Sequence, residues 1–245
     1  MGANWHVFVP YSTLHFGMLA GCALMIASVA IFGRQLRGST GELVLRRALA
    51  FFGLGFWVFY NILWNWTGRD LYDALPLHLC DFNGVLGPLA LLTANRWLRA
   101  TLYFWTLVLG LQAFIQPALV SGPASLVFWA FWLSHSVTFA CAVYDLAVRG
   151  FRPGWRDLGR ASLVSLAYLA LIIPIDLWLG ANYGFVGNPA PEHSLPPMVE
   201  ALGPWPGRVV LMAGLAFIGF LIALAPWLVR TAREDAARDD MPATA

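Results

Sequence analysis

Apolar residues in this chain fall in long continuous runs rather than in alternation. Blocks of roughly 17–25 residues, the length that crosses a hydrocarbon core as a helix, lie near 12–33, 48–66, 76–93, 101–117, 126–148, 161–179 and 207–229. Strands of a membrane barrel alternate with period two over about ten residues, and these blocks do not. The pattern predicts an all-α polytopic membrane protein: a seven-transmembrane-helix bundle in one domain, 1–229. A frayed cytoplasmic tail follows over 230–245. Pro76 suits a helix start, and Pro88 should kink the third span. The connection 180–206 is dense in glycine, proline and aromatic residues. Loops of that length are usually lids, binding loops or disorder, and its aromatics favour a folded cap over the outer face.

Composition agrees with a membrane. The 245 residues are 59% hydrophobic and 11% charged, with a mean hydropathy of +0.66, whereas a soluble domain carries about a quarter charged residues. All fifteen basic residues are arginine. Thirteen lie on one side of the alternating topology: Arg34, Arg37, Arg46, Arg47, Arg96, Arg99, Arg149, Arg152, Arg156, Arg160, Arg230, Arg233 and Arg238. Only Arg69 and Arg208 fall on the other side. The positive-inside rule puts the N-terminus outside and the C-terminus in the cytoplasm of a multi-pass cell-membrane protein. These arginines are topological signals and imply no nucleic-acid partner. No cleavable signal peptide is expected, because the first apolar block lacks a basic leader and is long enough to span.

Topology then assigns depth. Asn61 and Asn65 fall in the outer half of span two, and His78, Cys80, Asp81 and Asn83 in that of span three. Gln112 and Gln116 lie outermost in span four, Ser134, His135, Ser136 and Thr138 near the middle of span five, and Asp176 at the outer end of span six. Polar groups stranded in hydrocarbon are costly unless they find partners or water. Their gathering in one leaflet points to an outward-facing polar cavity, and ionisable groups within spans mark function. His78 and Asp81, three apart, can share a helical face, whereas Cys80 points elsewhere. His135 is the other histidine deep in a span. It lies about nine residues into its span against about four for Cys80, a gap of roughly 7 Å in depth at the helical rise.

Plainer readings exist for each residue. Cysteines in spans are usually packing residues, which serves for Cys22 and Cys141. The amides and Ser134–His135–Ser136 can bridge helices. Asp145 and Arg149, four apart, read as a structural pair, and Gly17 with Gly21 as a site of close helix approach. His6, His15 and His193 look peripheral. A metal site is disfavoured, since His-x-Cys spacing does not converge two ligands on one face. Retinal is excluded because a Schiff base needs a lysine. No cofactor is implied.

The segment Leu75-Pro76-Leu77-His78-Leu79-Cys80-Asp81, then His135, then Asn182-Tyr183 and Leu202-Gly203-Pro204-Trp205-Pro206 resembles the YwaF-like bacterial seven-span membrane proteins. The likeness runs across nearly the whole chain. That family is in turn similar to animal membrane acyltransferases that remodel ether phospholipids, in which a membrane-embedded cysteine and histidine are proposed as catalytic. The resemblance implies Cys80 as nucleophile and His135 as base, acting on a membrane phospholipid as acyltransferase or lipid hydrolase. Supporting roles fall to His78, Asp81, Asn83, Asn61, Gln112 and Asp176. The competing class is a non-enzymatic carrier or ligand sensor using the same cavity. The acyl-transfer reading expects Cys80 and His135 within about 5 Å of each other, with Asn61, Gln112 and Asp176 bordering their cavity.

Overall fold

The computed structural model describes residues 5–66, 74–189 and 195–239, with side chains as far as Arg230; Arg69 and His193 lie outside these ranges. The helices are α1 (Thr13–Gln35), α2 (Thr40–Trp66), α3 (Leu79–Thr93), α4 (Arg96–Phe104), α5 (Gln112–Ile115), α6 (Leu126–Ala147), α7 (Trp155–Leu179), α8 (Pro197–Glu200) and α9 (Gly207–Asp239). A π-helical turn, Trp105–Leu109, joins α4 to α5, and a 3-10 turn, Tyr183–Phe185, follows α7. The described residues form no strand, only an isolated bridge between Val7 and Ser121. Six helical runs are long and apolar enough to cross a membrane: α1, α2, Arg96–Ile115, α6, α7 and Gly207–Arg230. The chain is an all-α polytopic membrane protein. At 15 residues, α3 is the shorter apolar helix among them.

Side-chain contacts fix the direction of each helix. Gly33 of α1 meets Tyr144 and Val148 of α6, while His15 packs on Trp132, so α1 and α6 run parallel. Gly53 of α2 meets Pro88, and Trp57 meets Gly84, so α2 and α3 are antiparallel. Arg99 pairs with Asp145 and Phe114 packs on Trp132, which sets Arg96–Ile115 antiparallel to α6. Arg96 bonds Asp157 and Trp105 bonds Ser165, which sets α7 parallel to α4. Tyr103 reaches Ala223 and Val108 meets Gly219, so α9 runs antiparallel to α4. Direction therefore alternates along the chain through all seven of these runs, α3 included. α6 is the central element: 72% of its span is buried, against 11–17% for α1, α2, α7 and the apolar part of α9.

The arginine-rich end is also where helices terminate. Arg34 and Arg37 donate to the Ala147 carbonyl at the end of α6. Arg149 and Arg46 donate to the Leu91 carbonyl in the last turn of α3, at 3.0 and 3.4 Å. Cations there complement the negative helix end and its unpaired carbonyls.

Several local expectations need correction. Asp145 pairs with Arg99 at 2.7 Å, not with Arg149, because a neighbouring helix brings a guanidinium closer than the next turn does. Nothing on a neighbouring element lies within 4 Å of where a Cβ on Gly17 or Gly21 would sit, whereas Gly33, Gly53, Gly84 and Gly87 are tight approaches, the last three being glycines whose sequence also suggests close packing. His15 is buried, accepting from the Tyr11 N–H through Nδ1 at 2.8 Å and donating from Nε2 to the Phe114 carbonyl at 2.8 Å. Finally, α3 starts at Leu79, beyond Pro76, because His78 occupies its N-cap position.

Candidate functional site

The N-terminal end of α3 is built around a helix start. The His78 N–H donates to Asp81 Oδ2 at 3.1 Å, which satisfies one of the amides that every helix leaves open at its first turn. Asp81 thus meets His78 through the backbone. The His78 ring accepts from the Gly184 N–H at Nδ1, 3.3 Å away, and lies edge-on to Tyr183 with centroids 5.1 Å apart. Phe185 sits 5.9 Å from the same ring.

Asp176, at the end of α7, holds this segment down. Its Oδ1 accepts from the Tyr183 N–H at 2.8 Å. The buried Tyr183 hydroxyl accepts from the Leu75 N–H at 3.0 Å, and Tyr168 donates to the Leu77 carbonyl at 2.9 Å. Gly184 has φ +63°, and a Cβ there would stand 2.5 Å from the Tyr168 hydroxyl oxygen; glycine is the residue that fits both conditions. Further along, Trp205 Nε1 donates to the Val186 carbonyl at 3.2 Å, and the buried Arg208 donates to the Gly187 carbonyl. Residues 181–187 are therefore bound to α3, α7 and the start of α9.

Cys80 is exposed and forms no disulfide. Its depth follows from register. Gly87 of α3 meets Cys141 of α6, with 3.0 Å between the site of a Gly87 Cβ and the Cys141 Cβ. Cys80 lies seven residues N-terminal to Gly87 and His135 six N-terminal to Cys141. For parallel helices that is a depth difference of about 1.5 Å, well below the gap read from span boundaries. Seven residues are almost two full helical turns, and the Cys80 side chain is exposed. The antiparallel register of α2, set by Gly53 on Pro88 and Trp57 by Gly84, brings Asn61 to the level of Cys80.

His135 is buried in α6, its ring 4.3 Å from Phe131 and 6.4 Å from Phe114 between centroids. Nδ1 lies 2.8 Å from the Phe131 carbonyl and 3.3 Å from Ser134 Oγ. A carbonyl only accepts, so that bond requires the proton on Nδ1 and leaves Nε2 as the lone-pair nitrogen.

The remaining expected residues divide. Asn61 Nδ2 donates to the Trp57 carbonyl at 2.9 Å. The Gln112 amide is directed at Met198 Sδ, 3.1 Å distant on α8. Asn83 is buried, and its Oδ1 has no hydrogen-bond partner among the described residues. Thr106, one turn beyond Leu102, is likewise buried with an unpartnered hydroxyl. Leu102 also meets Gly87, so the same register sets Thr106 level with Asn83. Thr106 lies in the π-helical turn, closed by the Gly110 N–H on the Trp105 carbonyl at 2.7 Å; such turns recur at functional sites. Sequence reasoning missed Thr106, Tyr168 and Trp57. Tyr168 matters because its hydroxyl holds the Leu77 carbonyl at 2.9 Å and packs against Gly184. Among the described residues, no three His, Cys, Asp or Glu side chains gather as a metal site.

A groove of about 520 Å³ opens along α2, lined by Trp57, Val58, Asn61, Ile62, Asn65 and Trp66, with Pro76 at its far edge. The side chain of Trp57 rests where a Gly84 Cβ would be, 2.6 Å from that position at Cδ1. Cys80 lies between Pro76 and Gly84 on the facing segment.

The sequence model of the TMEM164 family matches residues 10–224. An uncharacterized protein of Treponema pallidum (strain Nichols) is 28% identical over 189 residues, covering 76% of this chain and 78% of the relative. No solved structure matches the chain. The YwaF-like name rests on the sequence resemblance alone.

Proposed function

The chain belongs to the TMEM164 family, and on that premise we propose that it is a membrane-embedded acyl-transfer enzyme acting on phospholipid esters. Cys80 is the nucleophile and His135 its base. The observation that carries this reading is the Gly87–Cys141 contact, which supports a common depth for the two residues. The Phe131 carbonyl adds support, since it holds the proton on Nδ1 and leaves Nε2 free to take one.

In the first half-reaction His135 Nε2 removes the Cys80 proton, and the sulfur attacks the ester carbonyl carbon. The carbon–oxygen ester bond breaks, the lysophospholipid alkoxide leaves with the proton from His135, and a thioester remains on Cys80. In the second half-reaction an acceptor hydroxyl attacks that thioester while His135 takes its proton. The carbon–sulfur bond breaks, and the thiol is restored as His135 returns the proton. A lysolipid acceptor makes the protein an acyltransferase; water makes it a lipid hydrolase. Asn61, level with Cys80 and with one amide proton beyond its bond to Trp57, is the favoured donor to the tetrahedral oxyanion. Gln112, engaged with Met198, is not. Residues 181–187 act as the outer cap that keeps bulk water from the thioester. The alternating helix directions and the arginine-rich end support seven crossings with the N-terminus outside.

Brief incubation of the purified protein with phospholipid, followed by intact-protein mass measurement, tests the covalent step. An acyl adduct on Cys80 that hydroxylamine releases is expected. Turnover without any adduct at Cys80 would overturn the mechanism, and absence of turnover would favour the carrier or sensor.

A further inference from the structure

The arginine-rich end of the bundle carries more positive charge than its own carboxylates answer. Arg34 and Arg37, exposed at the end of α1, both donate to the Ala147 carbonyl, Arg34 at 3.2 Å. Arg46 and Arg149 both donate to the Leu91 carbonyl, at 3.4 and 3.0 Å. Tyr144, in the last turn of α6, packs on Gly33 and donates to Glu42 at 3.0 Å. The four guanidiniums therefore ring one corner, where α1, α2, α3 and α6 meet. Glu42, 3.4 Å from Arg46, is the carboxylate of that corner, while Asp145 is taken by Arg99. Neither Arg34 nor Arg37 meets a carboxylate among the described residues. Burial, and after it the charge of Arg46, push Arg149 below arginine's ordinary value, as like charges held together require.

A guanidinium has five N–H donors in a planar fork, and a carbonyl takes one of them. The remaining donors suit the two free oxygens of a phosphodiester. Beside the arginines the helix surfaces are apolar and exposed, at Ile31 and Phe32 on α1 and at Val44 and Phe51 on α2. A phosphate at that boundary is one that carries acyl chains. We propose that this corner binds the headgroup of an anionic glycerophospholipid, its phosphate on Arg34 and Arg37 within the field of Arg46 and Arg149, its chains along α1 and α2. A headgroup amine would add a further cation to four guanidiniums that share one carboxylate, so the preferred headgroup has none. The corner lies at the opposite end of α3 from Cys80 and does not depend on the acyl-transfer reading. A lipid bound there offsets the repulsion among the arginines and so stabilises the folded bundle.

The test uses the full chain in neutral detergent, with phosphatidylglycerol, phosphatidylcholine or inorganic phosphate added in turn, and reads binding by thermal unfolding and native mass spectrometry. Phosphatidylglycerol should raise the unfolding temperature and stay on the protein. Phosphatidylcholine should do neither, and excess inorganic phosphate should not reproduce the effect. An arginine near an anionic surface contributes about five-fold in affinity, so Arg34→Gln/Arg37→Gln should weaken retention by roughly tenfold or more. Arg37→Gln alone, which leaves Arg34 on the Ala147 carbonyl, should weaken it several-fold and covers the case of a misfolded double variant. Arg152→Gln/Arg156→Gln removes the same charge from two exposed positions around the start of α7 and should bind like wild type. Equal stabilisation by phosphatidylcholine, an equal effect of inorganic phosphate, equal losses in the two double variants, or retention untouched by Arg34→Gln/Arg37→Gln would overturn the proposal.

Discussion

Gly87 and Cys141 touch across the α3–α6 interface, with 3.0 Å between the Cys141 Cβ and the place where a Gly87 Cβ would stand. The contact is what the proposed Cys80–His135 pairing rests on. A methyl group at position 87 would also come 3.4 Å from the Cys141 sulfur and 3.5 Å from Leu102. Gly87→Ala should therefore destabilise by about 1–3 kcal/mol, the usual cost of overpacking, and lower acyl turnover. Gly17→Ala and Gly21→Ala should change neither, since nothing lies within 4 Å of either position. Thermal unfolding in detergent, with a turnover assay alongside, checks both.

The Arg99–Asp145 pair joins α4 to α6 at 2.7 Å, with side-chain exposures of 14% and 2%. Removing one partner from a pair so buried leaves an uncompensated charge, which typically costs roughly 3–5 kcal/mol. Arg99→Ala should be severe. Arg149→Ala, which loses bonds to the Ala90 and Leu91 carbonyls, should be milder. Equal losses on denaturation would contradict the assignment of Asp145 to Arg99.

Helices and their apolar runs are largely legible in the sequence, because burial in lipid demands continuous hydrophobicity. The run read at 126–148 is a helix over Leu126–Ala147, and that read at 12–33 is a helix over Thr13–Gln35. Partners are less legible. Asp145 and Arg149 have the spacing of a pair, but tertiary packing brings Arg99 nearer. Gly17 and Gly21 have the spacing of a helix contact, but spacing does not say which helix arrives. The depth of Cys80 relative to His135 depends on a contact between two distant segments, which counting from span ends does not include. Thr106 carries no sequence signal: a single threonine in an apolar run resembles any helical threonine bonded to its own backbone.

The segment 181–187 should protect the start of α3. Tyr183→Phe removes the acceptor of the Leu75 N–H, and a typical hydrogen bond contributes about 0.5–1.5 kcal/mol. Hydrogen exchange at Leu75 and Leu77 should quicken in Tyr183→Phe and in Asp176→Ala, while α6 keeps its protection. Unchanged exchange in both variants would remove the cap.

Sidedness is open to direct measurement. Reporter domains fused after Arg37 and after Ala74 should report opposite faces of the membrane, with Arg37 cytoplasmic. The same face for both would sink the seven-crossing topology.

Acyl release from phospholipid by purified protein, compared among wild type, Cys80→Ser and His135→Ala, tests the catalytic pair most directly. The account predicts turnover in wild type and its loss in both variants, with the helical fold retained in each. Full activity in Cys80→Ser would contradict it.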